Sequence, residues 1–330
     1  MAMTSCPAHF LEDCGATGPV EANPDIAGIG TIISFLLTAC LAIIASVIII
    51  YLDHYQKIVN IFRHYVTKNP DVYAEDTNYI RGYKLQRHLF WADVVRKILN
   101  ALNDSQLFTG TAVQIVSLIQ HCTISIYHYQ IVTELAYLST VTHLLALVAL
   151  RDDFVQDRLS NVPRVAVMIL NLALLGYTSF YGYSYELSSL ERKSSANLAC
   201  YYAGHKPAYG PAFWFKWILL LAAGLAGHFS IFFSMYVTRH KTEDRSWIQL
   251  WGARFRNYVV TPVYTIYGLV NASIVLSRSQ ALGSPLVEIE GSEKEWGFGQ
   301  LLAMLLLGLT LLPGWETYRE EADIAELLAI

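Results

Sequence analysis

The sequence predicts an all-α, polytopic membrane protein: a seven-transmembrane-helix bundle with a cytosolic amphipathic helix between helices 1 and 2. Three observations carry that prediction. Six stretches lack Asp, Glu, Lys and Arg altogether: Ile26–Tyr51, Ser105–Thr133, Val165–Tyr185, Ile218–Thr238, Tyr258–Ser277 and Gly297–Trp315. A run of about 18 or more apolar residues reads as a membrane span. Leu135–Leu150 is a shorter run of the same kind, which Glu134 extends if it faces inward. The second observation is composition: 54% of the 330 residues are hydrophobic and 15% are charged, where soluble domains carry about 25%. The third is the distribution of Lys and Arg between the connecting segments.

Spans are expected near 26–51, 106–127, 131–150, 164–185, 214–238, 258–277 and 297–315. They form one membrane domain, 26–315, between an N-terminal segment, 1–25, and an acidic tail, 316–330. Sixteen Lys and Arg residues fall in the segments on one side, eight of them between 52 and 104, and five fall on the other. Basic loops stay cytosolic, so the N-terminus is expected in the lumen or exterior and the C-terminus in the cytosol, at the endoplasmic reticulum or plasma membrane. Cys6, Cys14 and Cys200 then share the oxidising side, where one disulfide among them is expected. Cys40 and Cys122 read as buried thiols. The net charge of −4 implies no bulk attraction to nucleic acid.

Asn23-Pro24-Asp25 opens span 1 with a capping Asn, Pro at the first helical position and an acid in the first turn. Gly30, Ser34, Thr38, Ala42 and Ser46 repeat every four residues, a seam of small residues for close helix contact. Leu85, Leu89, Ala92, Val95, Leu99 and Leu102 share one helical face, with Arg87, Arg96, Lys97 and Asn100 away from it. That is an amphipathic helix suited to a membrane surface. Asn103-Asp104-Ser105 reads as a cap that ends it and starts span 2. The segment with Glu288, Glu290, Glu293 and Glu295 reads as solvated.

Span 2 carries Thr111, Gln114, Ser117, His121, Ser125 and His128 at steps of three or four, so they form a polar stripe on one face. Such a stripe faces protein or a water-filled cavity. It either hydrogen-bonds between helices or lines a substrate site. Span 3 offers Glu134 and His143 on opposite faces. A carboxyl held away from water keeps its proton and can donate it. Asp25 and Asp104 stand at expected helix starts, where capping explains them. Span 4 carries Tyr177, Tyr181 and Tyr185 on one face with Asn171 deeper; they read as an interfacial belt or as an aromatic wall that attracts cations. His228, Asn271 and Pro262 read as bundle hydrogen bonds and a kink. No metal or cofactor is expected, because the cysteines lack metal-ligand spacing and no H-E-x-x-H, G-x-S-x-G, Walker or D-D-x-x-D sequence occurs.

The runs Asn23-Pro24-Asp25-Ile26-Ala27-Gly28-Ile29-Gly30, Asp104-Ser105-Gln106-Leu107-Phe108-Thr109-Gly110, Tyr127-His128-Tyr129-Gln130-Ile131-Val132 and Ser139–Leu144 resemble a large family of multi-spanning membrane proteins of filamentous fungi. That family includes membrane-bound terpene cyclases of ascochlorin- and ascofuranone-type meroterpenoid pathways. The resemblance covers residues 23–151. It implies an enzyme that protonates a terminal epoxide on a farnesyl-type chain, without metal, and lets the cation close into rings.

The expected function is therefore a membrane-bound terpene cyclase of fungal secondary metabolism, an isomerase acting on a lipophilic prenylated substrate taken from the bilayer. Glu134 is the expected general acid, with Asp25 and Asp104 as rivals. His121 and His143 orient the acid or take the final proton. Gln114, Ser117, His128 and Asn171 line the site, and the three tyrosines stabilise cationic charge. The competing readings are a seven-helix receptor or sensor, which the exterior N-terminus fits, and a transporter, which should show broken or inverted-repeat helices that this sequence does not display.

Overall fold

The computed structural model describes residues 6–7, 14, 18–66, 77–157, 159–186, 195–207, 209–236, 251–252 and 254–328. The described chain is mostly helical. A short turn, α1 (Pro24–Ala27), leads into α2 (Ile29–Val66), α3 (Thr77–Ile119), α4 (Ile126–Ala149), α5 (Arg151–Gln156), α6 (Val162–Glu186), α7 (Ala199–Tyr202) and α8 (Pro211–Tyr236). A π-helical turn, Arg256–Val260, precedes α9 (Thr261–Leu276), and α10 (Phe298–Leu309) and α11 (Leu312–Leu328) follow. Among the described residues six helices are long and apolar enough to cross a membrane: Pro24–Leu52, Ile126–Ala149, Val162–Tyr185, Pro211–Phe233, Arg256–Leu276 and Phe298–Glu320.

The expected seventh span is the one that differs. Residues 105–119 continue α3, and no cap separates them from the amphipathic stretch before them. Asn103 and Asp104 stand inside the helix, because tertiary partners take their side chains: Arg164 grips both carboxylate oxygens of Asp104 at 2.7 and 2.8 Å. The apolar face of the amphipathic stretch does not lie free on a surface. Ala92, Leu99 and Leu102 are buried, while Leu89 is exposed, and α3 packs against α2, α4, α6 and α11. The side chains of Leu85 and Arg87 lie outside the described residues. The helix stops at Ile119, a turn occupies 120–125, and α4 starts at Ile126. At the C-terminal end α11 carries the chain on to Leu328.

The centre of the bundle is α4. Twenty of its 24 residues are buried, and α2, α3, α6, α8 and α9 pack around it. The small-residue seam of α2 receives α10. Ser34 Oγ donates to Ala303 O at 2.9 Å, and Gly30 N donates to Gln300 Oε1 at 2.8 Å. A Cβ on Gly30 would lie 2.9 Å from Gln300 and Trp296, so the absence of a side chain permits the approach. Asn23 caps α1 as its sequence suggests, accepting from Ile26 N. Asp25 reaches across to α10, where its carboxylate accepts from Gly299 N at 3.2 Å. This places an acid on a helix N-terminus. Pro262 has no N–H to continue the α ladder backwards, and the chain just before it takes the π turn.

One end of the bundle is closed covalently. Cys6 joins Cys122, and Cys14 joins Cys200. Cys122 is therefore no buried membrane thiol, because it sits in the turn after α3; Cys40 is also not buried but exposed on α2. At the same end β1 (Val20–Glu21) pairs in parallel with β2 (Ile289–Glu290). Cross-links that close loops of 116 and 186 residues restrict the unfolded chain strongly. Replacing Cys14 by Ser should lower unfolding stability by about 2–5 kcal/mol. Thermal unfolding in detergent, with and without reductant, checks this: reductant should lower the wild-type midpoint, and Cys14→Ser should leave a smaller reductant-sensitive fall.

Candidate functional site

The polar side chains of α4 meet four different neighbours. Towards α3, His143 Nδ1 lies 3.0 Å from Asn103 Oδ1 and its Nε2 lies 2.9 Å from Ser139 Oγ. Ser139 Oγ also stands 2.7 Å from Gln106 O. A hydroxyl has one proton, so Ser139 serves the carbonyl or the imidazole at any one time. Gly110 on α3 allows this approach, since a Cβ there would come within 2.2 Å of Ser139 Oγ. Towards α6, Thr140 Oγ1 donates to Asn171 Oδ1 and Asn171 Nδ2 donates to Thr111 Oγ1, each at 3.1 Å. Thr178 donates to Gln114 Oε1 at 3.2 Å, and Ser117 Oγ donates to Gln114 O at 2.7 Å. Thr111, Gln114 and Ser117 are thus buried at the seam where α3 meets α4 and α6.

The expected stripe does not continue to His121, Ser125 and His128, because the helix ends at Ile119 before it reaches them. His121 lies in the turn, with Nδ1 2.9 Å from Leu118 O and its ring edge-on to Tyr202. Its Nε2 sits near Cys6 and Cys122, but both sulfurs belong to the disulfide. Tyr202 in turn meets Tyr177 hydroxyl to hydroxyl at 2.9 Å. Tyr181 stacks near Tyr177 and Tyr201, and Tyr185 packs beside Tyr201. The three tyrosines of α6 and His121 therefore come together, under α7 and the start of α8. Burial and the neighbouring Tyr177 raise the Tyr202 phenol above its ordinary range.

Glu134 stands elsewhere. It is 1% exposed, and Asn271 Nδ2 of α9 donates to its Oε1 at 2.8 Å. Its neighbour Thr133 faces the other way, towards Thr178 and Gly182 of α6. One turn beyond Glu134, Tyr137 donates to Tyr264 O at 3.2 Å, and the two rings lie 5.0 Å apart. Gly268 makes room for that ring, since a Cβ there would sit 2.1 Å from Tyr137. Asn271 is only half-buried, and its helix exposes Val263, Ile266, Val270 and Ile274. The carboxyl is thus one side chain away from the outer face of the bundle. Asp25 and Asp104 are held at opposite ends by Gly299 N and Arg164.

A second ionisable nest was not expected. Glu293 belongs to the segment read as solvated. Glu288, Glu290 and Glu295 are exposed there, but Glu293 is fully buried. Gly291 has φ +94°, a conformation that glycine adopts readily, and it turns the chain inward after β2. Glu293 Oε2 accepts from Tyr127 at 2.8 Å, Oε1 lies 3.0 Å from His128 Nε2, and His128 Nδ1 lies 2.8 Å from Ser125 Oγ. Gln280 Oε1 accepts from Glu293 N at 2.6 Å. One acid among four in a loop carries no sequence signal that marks it for burial. Tyr137 was legible in principle, since it lies three residues from Glu134 on the same face.

Cavities open at both ends of the bundle. One of about 220 Å³ lies at the disulfide end, lined by Cys14, Ile126, Tyr185, Cys200, His205 and Lys206 among others. One of about 280 Å³ lies at the other end, lined by charged residues such as Arg96, Lys97, Asp153 and Arg164. Both fall below the usual size of a drug-sized ligand pocket. Filling the small space at Gly268 should be costly: Gly268→Ala should destabilise the protein by about 1–3 kcal/mol through overpacking against Tyr137. A lowered unfolding midpoint in detergent checks it, with Gly252→Ala, whose Cβ would meet nothing within 4 Å, as the neutral comparison.

Comparison with known proteins gives one informative similarity. No family model matches the chain, and no solved structure is similar to it. Among curated proteins, it is similar to the "Elsinochromes biosynthesis cluster protein HP3" of Elsinoe fawcettii, 27% identical over 117 residues. The match covers 36% of this chain, and the chain spans 42% of the length of that relative.

Proposed function

We propose that the protein is a membrane-embedded enzyme of a fungal secondary-metabolite pathway. In this reading it is a terpene cyclase that protonates an epoxidised prenyl chain and lets the resulting cation cyclise. The observation that carries the proposal is Glu134, a carboxyl 1% exposed on the most buried helix, oriented by Asn271. An ionisable group inside a membrane bundle is costly and is usually functional. The relative in a biosynthesis cluster supports a biosynthetic role, and the family resemblance supports cyclisation. Asp25 and Asp104 are occupied by a helix N-terminus and an arginine, which favours Glu134 as the acid. Asn271 orients the carboxyl at the position where the epoxide would bind. The rings of Tyr137 and Tyr264 stand beside that position, where aromatic faces stabilise cationic charge. His121 and the Tyr177, Tyr181 and Tyr185 face form a second aromatic wall nearer the disulfide end. A lipophilic substrate would arrive from the bilayer along α9.

The membrane arrangement belongs to the same proposal. The disulfides bring the N-terminal segment, the 120–125 turn and Cys200 to one end, while Asp104 and Arg164 meet elsewhere on α3 and α6. From Asn103 to Ile119 is sixteen residues, about 24 Å of helix. In this reading α3 is a seventh, short crossing, and the disulfide end faces the lumen. A glycosylation acceptor engineered near Gly283–Ser284 should be modified in microsomes, and one near Leu159–Ser160 should not. The reverse pattern overturns the orientation.

The activity is tested by expressing wild type and Glu134→Gln in yeast and offering epoxidised farnesyl-phenols to microsomes in EDTA. The wild type should form cyclised product, and Glu134→Gln should be slower by about a hundredfold or more, the usual contribution of a general acid. Equal rates would remove Glu134 from the chemistry. Absence of product from folded wild type would favour the receptor or transporter readings.

A further inference from the structure

We propose that the buried Ser125–His128–Glu293–Tyr127 network is the proton outlet of this enzyme: it accepts the proton that the cyclised cation must lose. The inference rests on the cyclase reading above and assigns a second proton site to it.

Four observations converge. Glu293 and His128 are both nearly sealed from solvent, with side-chain exposures of 0% and 4%. Burying such a pair costs several kcal/mol per ion unless every polar atom is bonded. Here both carboxylate oxygens and both ring nitrogens have partners. Holding the segment in place does not require titratable groups, since β1–β2 pairing and the Gln280–Glu293 backbone bond already tie it down. The third observation is register. Tyr127 and Glu134 are seven residues apart on α4, hence on one face and about 10 Å apart. The segment leading out of α9 follows the same register, because Asn271 bonds Glu134 and Gln280 N donates to Tyr127 at 3.0 Å. The fourth is what lies between them. Ile131, Ala272 and Leu276 belong to one apolar cluster with Tyr127. The two sites are separated by packed hydrocarbon, which a prenyl chain activated at one end and deprotonated at the other would displace.

The proton balance also asks for such a site, because a cyclisation that ends in an alkene is an isomerisation. Glu134 gives a proton to the epoxide oxygen, the C–O bond opens to a hydroxyl, and alkene electron pairs close the rings. The last cation loses a C–H bond, whose electron pair becomes the new C=C. That proton passes to Tyr127 Oη while the tyrosine's own proton moves to Glu293 Oε2. Between turnovers the Glu293–His128 pair loses one proton to solvent and Glu134 regains one, so none is consumed.

The test uses the same microsomal assay with Tyr127→Phe and Glu293→Gln, scored by product distribution. The expected result is that, in the product each variant still forms, the ratio of alkene product to water-captured alcohol and alkene regioisomers falls at least tenfold. A merely structural network would change rates and leave that ratio alone, and an unchanged ratio in folded Tyr127→Phe overturns the outlet. Tyr127→Phe keeps the ring and decides the question if Glu293→Gln does not fold. Conversion by wild type with unchanged ratios in the variants sinks the outlet alone, whereas no conversion by wild type sinks the cyclase reading with it.

Discussion

Most polar side chains on α4 find their partners inside the bundle, because helices surround it. That constraint organises the rest of the structure. In such an interior an unpaired donor or acceptor costs several kcal/mol. Residues His143, Ser139, Thr140 and Glu134 each reach a different neighbour, and each neighbour presents a matching group: Asn103 and Gln106 on α3, Asn171 on α6, Asn271 on α9. The hydrogen bonds therefore specify which helix stands where around α4. Dispersion between Leu, Ala and Val side chains would hold the helices together but would not distinguish among rotations. Glycines sharpen the choice where backbones come closest. Gly110 admits Ser139, Gly182 admits Thr133 and Gly268 admits Tyr137.

The two ends of the molecule are built by different means. At one end the disulfides and the β1–β2 pairing knit three distant segments together. Once they are tied, the turn at 120–125 and the 278–296 segment have fixed places, and Glu293 can enter beside Tyr127 and His128. At the other end charge replaces covalent bonds: Arg164 bridges α6 to α3 through Asp104, and Arg96 lies 3.8 Å from Asp153. These side chains are about a quarter to a half exposed, so water screens the pairs and each contributes little alone. The long α3 connects the two ends and carries its polar residues towards α4 and α6.

This architecture bears on chemistry through separation. Ionisable groups on α4 are spaced along its length, and each has its own partner. Glu134 and the Tyr127–His128–Glu293 group are thus kept apart along α4, with packed hydrocarbon between them. The half-buried position of Asn271 also matters. It leaves the carboxyl it orients near the face that α9 presents outward, so a lipophilic molecule need not pass the closed, disulfide-bearing end.

Several features were legible from the sequence. The charge-free runs 26–51, 165–185 and 218–238 marked helices, because a membrane interior excludes charge along a whole segment. Asn23-Pro24 marked a helix start, since capping is a local event between neighbouring residues. The four-residue repeat of small side chains marked the α2 seam, and Glu134 stood out as an acid in an apolar run. The remainder depended on contacts between distant residues. The apolar run 105–133 looked like one helix followed by another at 131, and the break falls at 120–125, where Cys122 and Ser125 take partners from elsewhere in the chain. Asp104 looked like a cap until Arg164, sixty residues later, claimed it. Glu293 looked like its exposed neighbours, and only the meeting of Gln280, Tyr127 and His128 draws it inside. The sequence by itself determined which segments avoid water, because that follows from composition along a stretch. The tertiary structure alone decided which polar groups meet, because a hydrogen bond between residues 134 and 271 leaves no trace in the local pattern of either.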